Sequence, residues 1–500
     1  MALRPGFLPC FGALVFLLAC GGSSSTHAPD GPRDLTGSAQ TVAWTSAGSS
    51  TAKPVDLSAH HLEAIFPTAQ GWDIYGGVGD QDGTFRIPGV PASGTYWLRD
   101  SRWVEELANE FFLTDADSVD LGRDVNYHRM GAAPEGTRLI LGGSGLDPVQ
   151  EHDVFGILVP TAGLVYGDQG YDPDVADFLS PLWTLNRPQA MATTLSGTLV
   201  DWTAEPPING DQGDRVTLAQ YRRTQQGDVA YDFIVASADL PTFSMTPGID
   251  TQVTGLTFTP PPAQPYVMDW PRSQWDALRE EVGGPDTQTV GFDGWISVQN
   301  GGLAHGLIDN DLPIMNLRGL PEGLTDFRTT DLGLRNPYPA AWAFEHYEAW
   351  FLSPSPDGMS YFQSLLTLNR PLGPGTPIQP VLSPPRDLRI NGLALTGTLT
   401  DVGTSPVLSW TAPRIGQPTS YVVRVLMMGG FGASDVAALW VPGDVTSITF
   451  PPDVLRKEGR SYTVQVIAND MTRQDIRKAP RRIGLGRASA TCCGLGTFLP

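Results

Sequence analysis

A mainly β protein, built as several antiparallel β-sandwich domains in tandem with a few short helices in the middle region, is the fold this sequence predicts. Three observations carry the prediction. The chain holds 56 glycines and 44 prolines in 500 residues, a composition of many turns and few long helices. Apolar and polar residues alternate over short runs, as in Phe85-Arg86-Ile87 and in the stretch Gly291 to Val298, which is the period of a half-buried strand. A chain of this length is also too long for one core, while 41% hydrophobic residues suffice for several.

Residues 1–19 read as a signal peptide. Arg4 supplies the positive start, and Phe7 to Leu18 is an apolar run too short to span a bilayer. It closes on Leu17-Leu18-Ala19-Cys20, followed by Gly21-Gly22-Ser23-Ser24-Ser25. This resembles the type II signal of bacterial lipoproteins. The resemblance implies cleavage before Cys20 and lipidation of its thiol and new amino end with palmitate-type chains, several of which anchor stably where one is marginal. It places the protein in the bacterial cell envelope, and the lack of Asp after Cys20 points to the outer membrane, with the face left open. Residues 20–34, rich in Gly, Ser, Thr and Pro, form the flexible tether.

Residues 35–130 make a first β domain. Leu35-Thr36-Gly37 opens a strand, and Asp82-Gly83 suits a tight turn before a strand with Phe85 and Ile87 on one face. The residues Asp80, Asp82, Gly83, Phe85, Val90, Pro91, Gly94 and Tyr96 resemble the signature of carboxypeptidase-regulatory-like and prealbumin-like sandwiches. Val104 to Phe112 is open between helix and strand. Residues 131–262 are β-rich, with strands at Leu139–Leu141, Phe155–Val159, Leu195–Trp202 and Tyr231–Ala236. Leu195-Ser-Gly-Thr-Leu echoes Leu395-Thr-Gly-Thr-Leu, and Leu35-Thr-Gly-Ser more faintly, as similar opening strands. Pro260-Pro261-Pro262 marks a stiff break.

Residues 263–376 have no nameable fold. Trp270 to Val282 predicts a helix with Trp275, Leu278 and Val282 on a stripe. Gly291–Val298 alternates as a strand, Ala340–Leu352 is aromatic and helix-tolerant, and Ser360–Leu368 is extended. Residues 377–480 form the clearest domain. Trp410, Tyr421 and Tyr462 fall on strands that can share one sandwich core, and this pattern resembles the fibronectin type III module. No Arg-Gly-Asp occurs. Residues 481–500 read as a basic tail continuing the charges of Arg477 and Lys478, either disordered or packed on an acidic domain face.

The net charge of -21 disfavours nucleic acid and anionic lipid as partners. With Cys10 removed and Cys20 acylated, Cys492 and Cys493 are the free thiols, so no internal disulfide or thiolate metal site supports the domains. The histidines are scattered, and none forms His-Glu-x-x-His. Glu345-His346-x-Glu348 is the densest cluster, with its two carboxylates placed to share a helix face. Asp168, Asp172, Asp174 and Asp177 crowd a Gly- and Pro-containing loop. They are the candidate calcium ligands, although the EF-hand pattern is absent. No Gly-x-Ser-x-Gly and no phosphate-binding loop occurs. Trp270, Trp275, Trp295, Trp342 and Trp350 are candidates for stacking on a glycan or a protein if exposed.

The reading reached from sequence is a non-catalytic cell-envelope lipoprotein with a binding, adhesion or scaffold role toward a protein or glycan ligand. Two alternatives stand beside it. One is a surface-anchored carbohydrate- or peptide-active enzyme with its site in residues 131–376, and the other is a structural subunit of an envelope complex.

Overall fold

The computed structural model describes residues 31–500 apart from 45–49, 103–108, 127–132, 152, 160–163, 167–190, 202–206, 227–228, 300–311, 319–325, 338–341, 356–360, 430–431, 456–458, 473–474 and 483–484. Among these residues the protein is mainly β, with two short helices, α1 (Arg272–Asp276) and α2 (Arg279–Gly283). No described helix is long and apolar enough to cross a membrane. Cys20 and Asp168, Asp172, Asp174 and Asp177 lie outside the described residues.

An 18-stranded sheet runs through the whole molecule. It begins at Leu164–Tyr166, Val154–Val159, Thr217–Gln226 and Val229–Asp239. It passes through Leu312–Arg318, Gln288–Gln299, Trp342–Pro354 and Tyr361–Pro371. It continues through Leu485–Cys493, Tyr462–Thr472, Ser420–Gly429 and Gly432–Pro442. It ends in Asn109–Thr114, Tyr96–Arg102, His60–Thr68 and Gly71–Gly76. Every junction on this path is antiparallel except Gly432–Pro442 against Asn109–Thr114. The N-terminal unit is therefore joined to the C-terminal unit rather than to the unit that follows it in sequence.

Smaller sheets close sandwiches over this long one. In the N-terminal unit the strand Arg33–Ser38 pairs with Thr84–Val90 and Ser118–Asp120. Phe85 and Ile87 are buried as their alternation requires. Gly83 takes a φ of +82°, and a Cβ there would meet the Ala39 carbonyl oxygen at 2.5 Å, so the Asp82-Gly83 turn needs glycine twice over. In the next unit Arg138–Ser144 lies between Thr194–Asp201 and Asp250–Thr257. The echo at Thr398–Leu399 pairs instead with Thr497–Phe498 in parallel, so the repeated Leu-x-Gly-Thr-Leu runs serve unlike places.

In the C-terminal unit Arg386–Ile390, Val407–Thr411 and Ser447–Thr449 face the four strands from Ser420 to Cys493. Trp410 meets Tyr421 edge-on at 5.1 Å, and Tyr462 stacks on Phe498 at 6.1 Å. This is the sandwich core expected for the fibronectin type III-like domain. The strand Leu485–Cys493 corrects the expectation of a disordered tail. It pairs with Tyr462–Thr472 on one side and Tyr361–Pro371 on the other, because Ala488, Ala490 and Cys492 fill the main core.

Two further expectations change. Trp342–Pro354 is a thirteen-residue strand, not a helix. The Val104–Phe112 stretch ends in the strand Asn109–Thr114. Trp275, Leu278 and Val282 are buried on α1, α2 and the turn between them, as their stripe predicts.

Candidate functional site

The Glu345-His346-x-Glu348 cluster sits at the centre of the long sheet. On a strand successive side chains point to opposite faces, so Glu345 and Tyr347 face one way and His346 and Glu348 the other. This overturns the shared helix face. Glu345 and Glu348 are three apart and therefore do not flank one cleft as an acid–base pair.

On the core face Glu345 is fully buried and saturated. Its Oε1 accepts from the Tyr266 hydroxyl at 2.8 Å and the Gly373 amide at 3.2 Å. Arg370 Nε donates to Oε2, and the same guanidinium reaches the Pro377 and Thr376 carbonyls at 2.8 Å each. Tyr266 and Tyr347 share a hydrogen bond of 2.8 Å. Burial first, then the nearby Tyr347 and Glu345, push the Tyr266 hydroxyl well above the ordinary tyrosine range. Burial and then Glu345 do the same to Tyr347. The network is satisfied as a buried charge requires, and it pins the chain returning from Pro371 to Ile378.

On the other face Trp295, His346 and Asn369 are register partners across three strands. Trp295 stacks on the imidazole with centroids 3.8 Å apart. His346 Nε2 bonds Glu348 Oε1 at 2.7 Å, and Nδ1 meets Asn369 Oδ1. Both ring nitrogens are thus occupied, one by Glu348 of the same strand and the other by Asn369 across to the next, and the imidazole is not presented to a nucleophile. In the next row Thr367 Oγ1 and Ser489 Oγ lie 2.9 Å apart, which carries the polar face onto the C-terminal strand. Of the other tryptophans, Trp270 and Trp275 are buried, with the Trp275 indole N–H donating to the Ile378 carbonyl at 2.8 Å. Trp350 is half-buried, and the side chain of Trp342 lies outside the described residues.

A cleft of about 310 Å³ opens where α2 meets the C-terminal unit, lined among others by Glu280, Glu281, Arg386, Asp387, Arg389 and Leu395. Sequence reading missed it because its walls come from segments about a hundred residues apart. Its charges are engaged in holding the walls. Glu281 pairs with Arg414, Thr411 donates to Asp387 at 3.0 Å, and Arg389 donates to the Gly392 carbonyl at 3.1 Å. Cys492 and Cys493, both buried and free of disulfides, are also among its lining residues. Among the described residues no group of three His, Cys, Asp or Glu side chains is placed to hold a metal.

A charged cluster between the terminal units bears out the second expectation for the basic segment, packing on an acidic face, with partners the sequence did not name. Arg481 donates to Asp100 at 2.6 Å and pairs with Glu110. Arg482 donates to Asp120 at 2.9 Å and Asp124 at 3.1 Å. His60 Nδ1 adds a 2.7 Å bond to Asp100. The run of arginines was visible, but its acidic partners lie more than three hundred residues away in sequence.

No family model matches the chain, and no curated protein matches it. Among solved structures it is similar to the chicken CNTN1 FN1-FN3 domains, at 8% identity over 92% of this chain and 95% of that one, with a TM-score of 0.13. It is also similar to a tetra-tandem repeat in the extending region of a large adhesion protein, at 12% identity over 91% and 99%, TM-score 0.11. A third is the BSP domain of a biofilm associated protein, at 8% identity over 95% and 99%, TM-score 0.12. Superpositions this poor establish no correspondence of function.

Proposed function

We propose that this chain is a lipid-anchored protein of the bacterial cell envelope, held by acylated Cys20, whose tandem β units form a non-catalytic binding, adhesion or scaffold body for a protein or glycan partner. The observation that carries the reading is the continuous sheet. Strands from every unit hydrogen-bond edge to edge across unit boundaries, so the units form a single support rather than beads on a flexible string. Such a support suits holding a partner at a fixed place, with contacts made by loops and edges. The densest polar cluster points the same way: Glu345, His346 and Asn369 tie neighbouring strands together. The acidic balance supports a partner other than nucleic acid.

The test is metabolic labelling with a palmitate analogue and membrane fractionation, comparing the native chain with Cys20→Ser, followed by in-cell crosslinking. The reading expects label and membrane association that Cys20→Ser abolishes, and a crosslinked partner enriched only with the anchored form. Label on the Cys20→Ser chain, or no enriched partner, sinks it.

A further inference from the structure

The N-terminal unit has its own closed core. Leu35, Leu62, Phe66, Phe85, Tyr96 and Leu121 belong to a cluster separate from the main one. Its sheet is nevertheless covered on both faces. Phe112 and Leu98 face inward to that core, while Ile65, Trp97 and Phe111 on the opposite face join the core of the C-terminal unit. The edge-to-edge part of the joint is short: four parallel register pairs, from Ala437 opposite Asn109 to Trp440 opposite Phe112, with Phe112 stacked on Trp440 at 6.4 Å.

Polar contacts from a single segment surround these pairs. Arg481 lies over the Phe112 ring at 5.0 Å while bonding Asp100 and Glu110. Arg482 bonds Asp120 and Asp124. The Lys478 carbonyl accepts the Asp120 amide at 2.7 Å, and Arg477 reaches Asp115 at 3.7 Å and Asp444 at 3.0 Å. Beyond this segment, Arg99 reaches Asp453 at 3.3 Å and Trp72 donates to Ser405 at 3.3 Å.

We propose that residues 477–482 form a clasp that holds the N-terminal sandwich against the C-terminal sandwich, and that the joint opens as a unit while both sandwiches stay folded. A joint with so short an edge-to-edge part is the place where the molecule opens first. The Arg481 side chain is 5% exposed, and its ion-pair partners among the described residues, Asp100 and Glu110, both belong to the N-terminal unit, so closing the joint and pairing that charge are one event. Opening frees the Gly432–Pro442 edge and the Ile65, Trp97 and Phe111 face. The biological use of such an arm rests on the tethered reading above; the clasp itself does not.

The test is hydrogen exchange on the full chain carrying Cys20→Ser, which needs no lipid, with and without Arg481→Ala and Arg482→Ala together. Peptides covering 109–114 and 437–442 are expected to exchange at least about tenfold faster in the double variant, while those covering 33–38 and 84–90 hold their rates. Arg482→Ala alone, at the exposed side of the cluster, is expected to give the same pattern with a smaller change and guards against a double variant that fails to fold. Unchanged exchange at 109–114 in a folded variant overturns the clasp. Equal acceleration at 33–38 and 84–90 overturns opening as a unit. Either result is independent of whether Cys20 is acylated.

Discussion

Glu345 and Arg370 are direct register partners on adjacent strands and form an ion pair in which the carboxylate is wholly buried and the guanidinium mostly so. A pair of this kind is costly to break from one side, because the partner left behind keeps its charge without its solvent. Glu345 also accepts from Tyr266 and Gly373, so its loss orphans several donors at once.

Glu345→Ala is therefore expected to lower the unfolding free energy by about 3–5 kcal/mol, read from the shift in denaturant midpoint. Replacing both partners, Glu345→Leu with Arg370→Leu, is expected to recover part of that loss. A double variant as unstable as the sum of its singles argues that the pair contributes packing and no coupled charge.

The same cluster sets an alkaline limit. Tyr266 and Tyr347 are held well above the ordinary tyrosine value, first by burial, then by Tyr347 and Glu345 at Tyr266 and by Glu345 at Tyr347. Folded values raised above unfolded ones mean that the native state keeps its protons longer. The stability they protect is complete below about pH 10, the unfolded tyrosine value, and is lost as pH rises beyond it. Phenolate absorbance is expected to show these two tyrosines ionising only together with loss of β circular dichroism. Tyr347→Phe is expected to move that transition to higher pH. Early phenolate signal from the folded chain contradicts the buried network.

These residues also show why parts of the fold were legible in the sequence and parts were not. Phe85 with Ile87 was readable because one face of the strand is apolar and the other polar, and Trp410 with Tyr421 and Tyr462 because large aromatics recur on strands that share one core. The strand from Trp342 to Pro354 was not readable. Glu345 lies in its core face and is satisfied there by distant partners, while His346 on the opposite face is equally buried, so polarity does not report the pleat. For Arg481 and Arg482 the sequence offered an acidic face to pack on but not which one. Their carboxylates at Asp100, Glu110, Asp120 and Asp124 belong to the far end of the chain, and local charge pattern carries no trace of that pairing. The cleft beside α2 is likewise a product of tertiary contact alone.

Cys492 and Cys493 are neighbours on one strand and point to opposite faces, Cys492 into the main core and Cys493 toward Phe362, Leu426 and Met428. Burial raises both thiols above the ordinary value, Cys492 strongly. Cys493 is further held by Ser364 Oγ at 3.1 Å and Gln465 Nε2 at 3.4 Å. A thiol must ionise and be reached in order to react, so a small maleimide is expected to leave both unlabelled in the native chain and to label both in denaturant. Rapid native labelling of either thiol, read by mass spectrometry of the C-terminal peptide, contradicts this placement of the Leu485–Cys493 strand.

Asp100 is expected to make the joint between the terminal units sensitive to acid. Burial pushes its carboxyl up, but the hydrogen bond from His60 and the nearby charge and hydrogen bond of Arg481 outweigh burial, and the group lies below the usual aspartate value. A folded value depressed below the unfolded one gives stability that is present above about pH 4 and drains away as pH falls through the lower folded value. Asp100→Asn removes that dependence while keeping the shape. Its denaturant midpoint is expected to fall below that of the native chain at neutral pH, by an amount equivalent to about 1–3 kcal/mol, and the two midpoints are expected to converge as pH drops below the aspartate range. The comparison isolates one carboxylate among the many that titrate there, since every other acid is common to both chains. Parallel pH profiles with a constant gap would assign Asp100 a packing role and leave Arg481 paired through Glu110.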